Sequence, residues 1–253
     1  MKQRINLEYL TVDDIDFNEI KAEIIKNEVL NNIPKVVMTP NAGHLKEIMS
    51  KKDIEDIYLN ADYNLIDGWP IALAASIRSR KKVKKVTGSD LTPAIFSEIS
   101  AAQRVGIFGG KNEVKIREVL QAKYPNLNLQ LINCDNWSDS VYDVRKIREL
   151  IQFNALSIVI LSLGHPKQEK IAIELKNFDW VGSRPNWILC FGASVDFLVG
   201  DQKRAPRYFQ KLGLEWLFRL INDPKKFSNR YVSAIFPSIK LILKSIILRF
   251  QNE

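Results

Sequence analysis

Six short apolar runs recur along the chain, each bounded by turn-forming or polar residues: PKVVMTPN, YNLIDG, RVGIFGG, LNLQLINC, LSIVILSLG and NWILCFGAS. Short aliphatic and β-branched runs closed by Gly, Asn, Asp or Pro are the pattern of buried strands. Segments with helical spacing separate them. NEVKIREVLQAKYP is read as the crossover helix after RVGIFGG, with Val114, Ile116, Val119, Leu120 and Ala122 on one side and YPN ending it. This alternation predicts an α/β fold: a Rossmann-like, largely parallel sheet with helices on both faces. Beyond Pro237, SIKLILKSIILRF sets Ile239, Ile242, Leu243, Ile246, Ile247 and Phe250 on one helical stripe, with Lys240 and Lys244 elsewhere. There is no visible internal repeat, and no Gly/Ser/Pro linker divides residues 1–199. The expected organisation is one α/β domain over 1–199 followed by a basic helical C-terminal appendage over 200–253.

Composition narrows the class. The chain has 253 residues, 46% hydrophobic and 26% charged, within the range of ordinary folded proteins. Two cysteines, Cys134 and Cys190, without CxxC spacing suggest neither a disulfide framework nor a zinc site, and fit a reducing cytoplasm. The N-terminus MKQRINLEYL lacks the apolar core of a secretory signal. No stretch reaches the roughly 18 uninterrupted apolar residues of a spanning helix.

The net charge of +8 is unevenly placed. Residues 200–253 hold 11 Lys and Arg against 4 Asp and Glu, a net of +7, which leaves 26 against 25 for residues 1–199. In the appendage the cations alternate with Tyr208, Phe209, Trp216, Phe218, Phe227, Tyr231 and Phe236. That mixture suits a surface meeting both phosphate and hydrocarbon, such as an anionic membrane, better than nucleic acid.

In an open α/β sheet ligands bind beyond the carboxyl ends of the strands. The residues that follow the apolar runs are Thr39-Pro40-Asn41, Asp67-Gly68, Gly109-Gly110, His165 to Glu169, and Asp196. Each alone fits a turn or cap, but their shared placement points to one cleft. Gly109-Gly110 before a helix lets backbone N–H groups approach a diphosphate, and equally suits a tight turn needing positive φ. GIFGGKN is neither a P-loop nor GxGxxG, which weighs against a dehydrogenase. His44, three residues beyond Asn41, fits either a helix surface, the preferred reading, or the same cleft, and with His165 the only other, two histidines far apart in sequence suggest no metal site. Asp14-Ile15-Asp16 resembles a metal-binding DxD but reads as a helix cap.

The motifs TPNAGH, LIDGWPI, VTGSDL, IFGGKN, LGHPKQEK, FGASVDFLVG and RAPRYFQKLGLEWLFRLINDPKKFSNRY, taken together, resemble the WecG/TagA/CpsF family, glycosyltransferase family 26, from about Val36 to Tyr231. The resemblance implies inverting transfer of an N-acetylmannosamine-type or related sugar from a UDP-sugar to a polyprenyl-diphosphate-linked sugar, with no cofactor and no essential metal. It implies a cytoplasmic protein held peripherally on the inner face of the membrane and working in surface polysaccharide synthesis; a homo-oligomer is left open. TPNAGH and DGWPI are closer to the capsule and exopolysaccharide branch than to the teichoic acid branch. INCDNWSDSVYD departs from the glycine- and aromatic-rich sequence of relatives.

An inverting transfer needs a general base beside the acceptor hydroxyl, and Asp67, at the end of an apolar strand, is the candidate. Thr39, Asn41 and Gln168 match the family's polar active-site positions. The resemblance further implies that Gly88, Ser89, Asp90, Gly109, Gly110, Gly164 and Asp196 build the nucleotide pocket. Ser89 or Asp90 also serves as a possible N-cap of LTPAIFSEIS, with Pro93 in its first turn. Arg204, Arg207, Arg219 and Arg230 are candidate diphosphate binders, since a guanidinium fork matches phosphate oxygens. Arg78 to Lys85, RSRKKVKK, either adds membrane-facing charge or forms a solvated loop. The rival reading is a non-catalytic peripheral membrane protein that binds polyprenyl-diphosphate lipids.

Overall fold

The structure is a computed structural model. It describes residues 2–27, 33–132, 144–211 and 213–251, the side chains of Lys211, Lys226, Phe227 and Arg230 excepted. The strands are β1 (Gln3–Asn6), β2 (Thr11–Asp14), β3 (Lys35–Met38), β4 (Tyr63–Asn64), β5 (Arg104–Gly109), β6 (Asn128–Ile132), β7 (Ile158–Ser162) and β8 (Trp187–Cys190). The helices are α1 (Phe17–Lys26), α2 (Leu45–Ser50), α3 (Lys52–Leu59), α4 (Trp69–Ser79), α5 (Gly88–Glu98), α6 (Glu113–Lys123), α7 (Val144–Phe153), α8 (Lys167–Lys176), α9 (Ser194–Leu198), α10 (Arg207–Lys211), α11 (Glu215–Asn222) and α12 (Pro224–Phe250).

Each of the six apolar runs contains a strand, and the six pair in parallel in the order β4-β3-β8-β7-β5-β6. Alternate side chains enter opposite layers. Val36, Met38, Val159, Leu161, Ile188 and Cys190 face one core, while Val37, Ile158, Ile160 and Leu189 face the other. Helices α2, α3, α4, α7 and α8 supply the first layer, and α1, α5 and α6 the second. The chain leaves β3 towards β4 and leaves β5 towards β6, in opposite directions, and β8 and β7 fill the space between. Such a reversal opens a crevice above the carboxyl ends of the central strands.

The antiparallel hairpin β1–β2, whose Ile5, Leu7, Leu10 and Val12 enter the first core, is absent from the sequence reading. A buried acid seats it. Asp13 accepts the Asn64 backbone N–H at 2.7 Å and pairs with Arg4 at 3.2 Å, tying the hairpin to the sheet edge at β4.

Three local expectations need correction. On α6 the buried positions are Ile116 and Leu120, with Val119 packed against them, whereas Val114 and Ala122 are exposed. Residues two apart on a helix diverge by about 200°, so the proposed stripe was too wide to share one side. The N-cap of α5 is Thr87, whose Oγ1 accepts the Asp90 N–H at 3.2 Å, and neither Ser89 nor Asp90 caps it. Pro93 consequently lies inside the helix, past the first turn.

That proline has no N–H for the carbonyl of Ser89. Arg204 supplies the missing donor: its Nη1 bonds the Ser89 carbonyl at 3.2 Å, and its Nη2 pairs with Asp90 at 2.6 Å. We expect Arg204→Met to destabilise the protein by about 1–2 kcal/mol in urea unfolding, the cost of an unmade hydrogen bond. Adding Pro93→Ala, which restores an N–H, should recover part of that loss. Unchanged stability in the single variant would remove Arg204 from this role.

The C-terminal helix α12 packs along α4 and α2. Its buried line is Ala234, Ser238, Leu241 and Ser245, small enough for close approach to α4. The apolar stripe read from the sequence faces away: Ile239, Leu243, Ile247 and Phe250 are all at least half exposed, and Ile242 alone of the stripe packs on the core. Lys240 lies over the Tyr9 ring at 4.8 Å and Lys244 pairs with Glu8 at 3.1 Å. Tyr231–Phe250 is long and apolar enough to cross a membrane by length and composition, although it carries these lysines.

Candidate functional site

A polar cavity of about 380 Å³ lies above the carboxyl ends of β3, β5, β7 and β8. Thr39, Asn41 and Gln168 line it together with Asp67. Of the residues expected to hold the nucleotide, Ser89, Gly164, Asp196 and Arg219 also line it. Gly88 does not; its α-carbon presses on Phe191, where a β-carbon would come within 2.8 Å of the ring. Asp90 and Arg204 are occupied with each other at the start of α5, and Arg207 is exposed at the start of α10. The Arg230 side chain, and the segment from 133 to 143 that includes Cys134, lie outside the described residues.

Asp67 owes its position to two turns. Its N–H bonds the Pro40 carbonyl at 3.3 Å, joining the turn after β4 to the turn after β3. Gly68 follows at φ +83°, a conformation that L side chains rarely adopt, and starts α4 with Pro70 in its first turn. The surrounding protein raises the Asp67 pKa to about 6, because burial disfavours the carboxylate. Arg219 and Lys85 oppose that rise, while Glu215 and Asp90 add to it.

Asp196 organises the opposite wall. It accepts the Lys111 backbone N–H at 3.1 Å on one oxygen and the Gln202 amide at 3.0 Å on the other. Gly109 and Gly110 precede Lys111 at φ +90° and +100°, and a β-carbon on either would strike Ser162 or Ile116. The loop therefore runs close to β7 and α6; neither glycine lines the cavity, which Lys111 alone of the loop reaches. Arg219 reaches in from α11, its guanidinium 4.9 Å from the centre of the Phe197 ring. Asp14-Ile15-Asp16 lies away from this cleft, and Asp16 caps α1 by accepting the Asn18 N–H at 2.8 Å.

The two histidines depart most from the sequence reading. His44 is 5% exposed rather than on a helix surface, and it stacks on His165 with ring centroids 4.0 Å apart and planes 11° apart. Both line the cavity. Donor atoms of His44, His165 and Glu169 lie within 4.8 Å of one another, close enough to compare with a cation site. Imidazole lone pairs lie in the ring plane, however, and in stacked parallel rings they run side by side instead of converging on one point. Lys111, Ser162 and Gln202 are further lining residues that sequence reasoning missed. The signal for Lys111 and His165 was present, since each stands inside a quoted motif, IFGGKN or LGHPKQEK.

A second, apolar groove of about 410 Å³ adjoins the cavity. Three segments build both. Asn41 lines the cavity and Ala42 the groove; Asp67 lines the cavity and Trp69 the groove; Arg219 lines the cavity and Leu220 the groove. Trp216, Tyr231, Ile235 and Ile239 complete its wall. A polar pocket with a carboxylate of raised pKa, an arginine and a lysine is equipped to bind a phosphorylated polar ligand and to take up a proton. The family model for the glycosyl transferase WecG/TagA/CpsF family matches residues 5–252, and the chain belongs to that family.

Proposed function

We propose that the protein is an inverting transferase that moves an N-acetylmannosamine-type or related hexose from a UDP-sugar to a polyprenyl-diphosphate-linked sugar in surface polysaccharide synthesis. The observation that carries this reading is the pairing of the polar cavity with the apolar groove through the same three segments. A lipid-linked sugar has the matching anatomy, a hydrocarbon chain joined to a polar head. With the chain in the groove, the acceptor hydroxyl enters beside Asp67.

Asp67 takes the proton of the acceptor hydroxyl as its oxygen attacks C1 of the donor sugar. The C1–oxygen bond to UDP breaks on the opposite face, and the diphosphate leaves with the bonding electrons. Arg219 and Lys111, which both line the cavity, stabilise the charge that collects there. Thr39, Asn41 and Gln168 offer neutral donors and acceptors to sugar hydroxyls. The exposed stripe on α12, with the basic surface around it, holds the enzyme on the cytoplasmic face of an anionic membrane.

The test is UDP release by the purified protein with a panel of UDP-sugars, each with and without a short-chain polyprenyl-diphosphate-linked sugar. Release that requires both substrates is expected, and it names the donor. Binding of the lipid without UDP release from any combination would replace the transferase with a non-catalytic lipid-binding protein.

A further inference from the structure

We infer that a buried hydrogen-bond network running Asn41–His44–Tyr58–His165 orients the Asn41 amide at the cavity wall, that Glu169 separately orients the Gln168 amide, and that Tyr58, His44 and Glu169 are positioning residues. The inference rests on the transferase reading of the same cavity. The amide groups of Asn and Gln are nearly symmetric in shape, so packing alone cannot choose which end is oxygen and which is nitrogen. Hydrogen-bond partners must choose. The choice matters because a half-turn of the amide presents a sugar hydroxyl with an acceptor where it needs a donor.

The network makes that choice at both amides in the same way. Asn41 Oδ1 accepts the Gly43 N–H at 3.0 Å, which turns its Nδ2 to His44 Nε2 at 3.3 Å. Gln168 Oε1 accepts the Gly192 N–H at 3.1 Å, which turns its Nε2 to Glu169 Oε1 at 2.9 Å. In each case a backbone N–H fixes the oxygen and a buried side chain receives the nitrogen.

The rest of the network fixes the first receiver, His44. For His44 Nε2 to accept, the ring proton must sit on Nδ1, and Nδ1 lies 3.0 Å from the Tyr58 hydroxyl. The same hydroxyl lies 3.3 Å from His165 Nδ1, the acceptor to which its own proton turns. Stacking holds the two rings nearly parallel, so that one tyrosine oxygen reaches both Nδ1 atoms. Tyr58 and Glu169 are each 1% exposed. Burying a carboxylate and two imidazoles where hydrocarbon would pack costs stability, so the network earns its place by what it orients.

Two measurements decide the matter. The chain holds two histidines, so a long-range nitrogen–proton spectrum of the ¹⁵N-labelled protein shows two ring systems, assigned with His44→Gln. At a pH where the rings are neutral, His44 is expected as the Nδ1–H tautomer, and the Nε2–H tautomer would overturn the assignment whether or not the protein transfers sugar. Kinetics then test the consequence. Tyr58→Phe keeps the ring but removes the shared oxygen, and it should lower kcat by about 10- to 100-fold with KM for the donor little changed. In an Asn41→Ala background the same substitution should cost less than about threefold, because its target is gone. Equal losses in both backgrounds, or an unchanged kcat, would overturn the positioning role. Glu169→Gln, which retains an oxygen for Gln168, should keep most of the activity that Glu169→Ala loses. A wild-type protein that releases no UDP would fail the transferase reading and leave the spectrum to decide the network.

Discussion

Asp67→Asn should lower turnover by about 10²- to 10⁴-fold and at the same time make the protein more stable at neutral pH. The first effect follows from the role proposed for the carboxylate: the amide retains the shape and cannot take the acceptor proton. The second follows from the raised pKa. Asp67 ionises near pH 6 in the folded chain, against 3.8 for an ordinary aspartate, because burial favours the neutral acid. Between those values the folded state holds a proton that the unfolded state has released, so stability contributed by this group is full below about pH 4 and is lost as pH rises through 6. Above that range an ionised Asp67 costs up to about 3 kcal/mol, at 1.36 kcal/mol for each pKa unit. Asparagine avoids the cost. Urea unfolding of wild type and variant should therefore diverge between pH 4 and 7, with the variant the more stable at pH 8, and should converge in acid. The rate profile of the wild type should carry an acid limb with its half-height near pH 6 in kcat/KM, which reports the free enzyme. Near-normal turnover in the variant would exclude Asp67 as the base, and equal stability of the two proteins at pH 8 would exclude the buried ionised carboxylate.

The same residue shows how far the sequence reaches. Asp67 was legible because it ends an apolar run, and in a parallel sheet every such end faces one crevice. Thr39, Asn41, Gln168 and Asp196 were legible for the same reason, and the cavity gathers all of them. What stayed hidden depends on contacts between distant segments. His44 and His165 meet because β3 lies beside β8 and β8 beside β7, a strand order that periodicity does not encode. The hairpin β1–β2 does alternate, with Ile5 and Leu7 then Leu10 and Val12 entering the core, but each arm offers only two such positions, and the buried carboxylate of Asp13 that ties it to β4 reads in sequence as a surface charge. Arg204 read as one of four interchangeable cations. Its neighbours decide otherwise: the carbonyl that Pro93 leaves open takes its N–H, and that relation crosses more than a hundred residues. In α12 the periodicity correctly marked a stripe, while burial follows the adjoining line of Ala234, Ser238, Leu241 and Ser245, whose small side chains make little hydrophobic signal.

Arg219 links the basic C-terminal segment to the chemistry, and its replacement separates two of its effects. In the folded chain Arg219 is the foremost cation holding the Asp67 pKa down, against the burial that raises it. It also lines the cavity where a diphosphate would gather charge. Arg219→Ala should therefore lower kcat/KM by about 10²- to 10³-fold, the loss typical of a donor aimed at developing negative charge. It should also shift the acid limb of the rate profile to higher pH, because Asp67 becomes harder to ionise without the neighbouring cation. Arg219→Lys retains the charge and loses the planar fork. With lysine the acid limb should stay near pH 6 while much of the loss in kcat/KM persists, since two parallel N–H bonds to phosphate oxygens are replaced by a single point charge. A limb that moves equally in both variants would mean that Arg219 acts on Asp67 through packing against Phe197 rather than through its charge. A limb that moves in neither would detach Arg219 from the base altogether, and the kcat/KM loss alone would then place it with the leaving group.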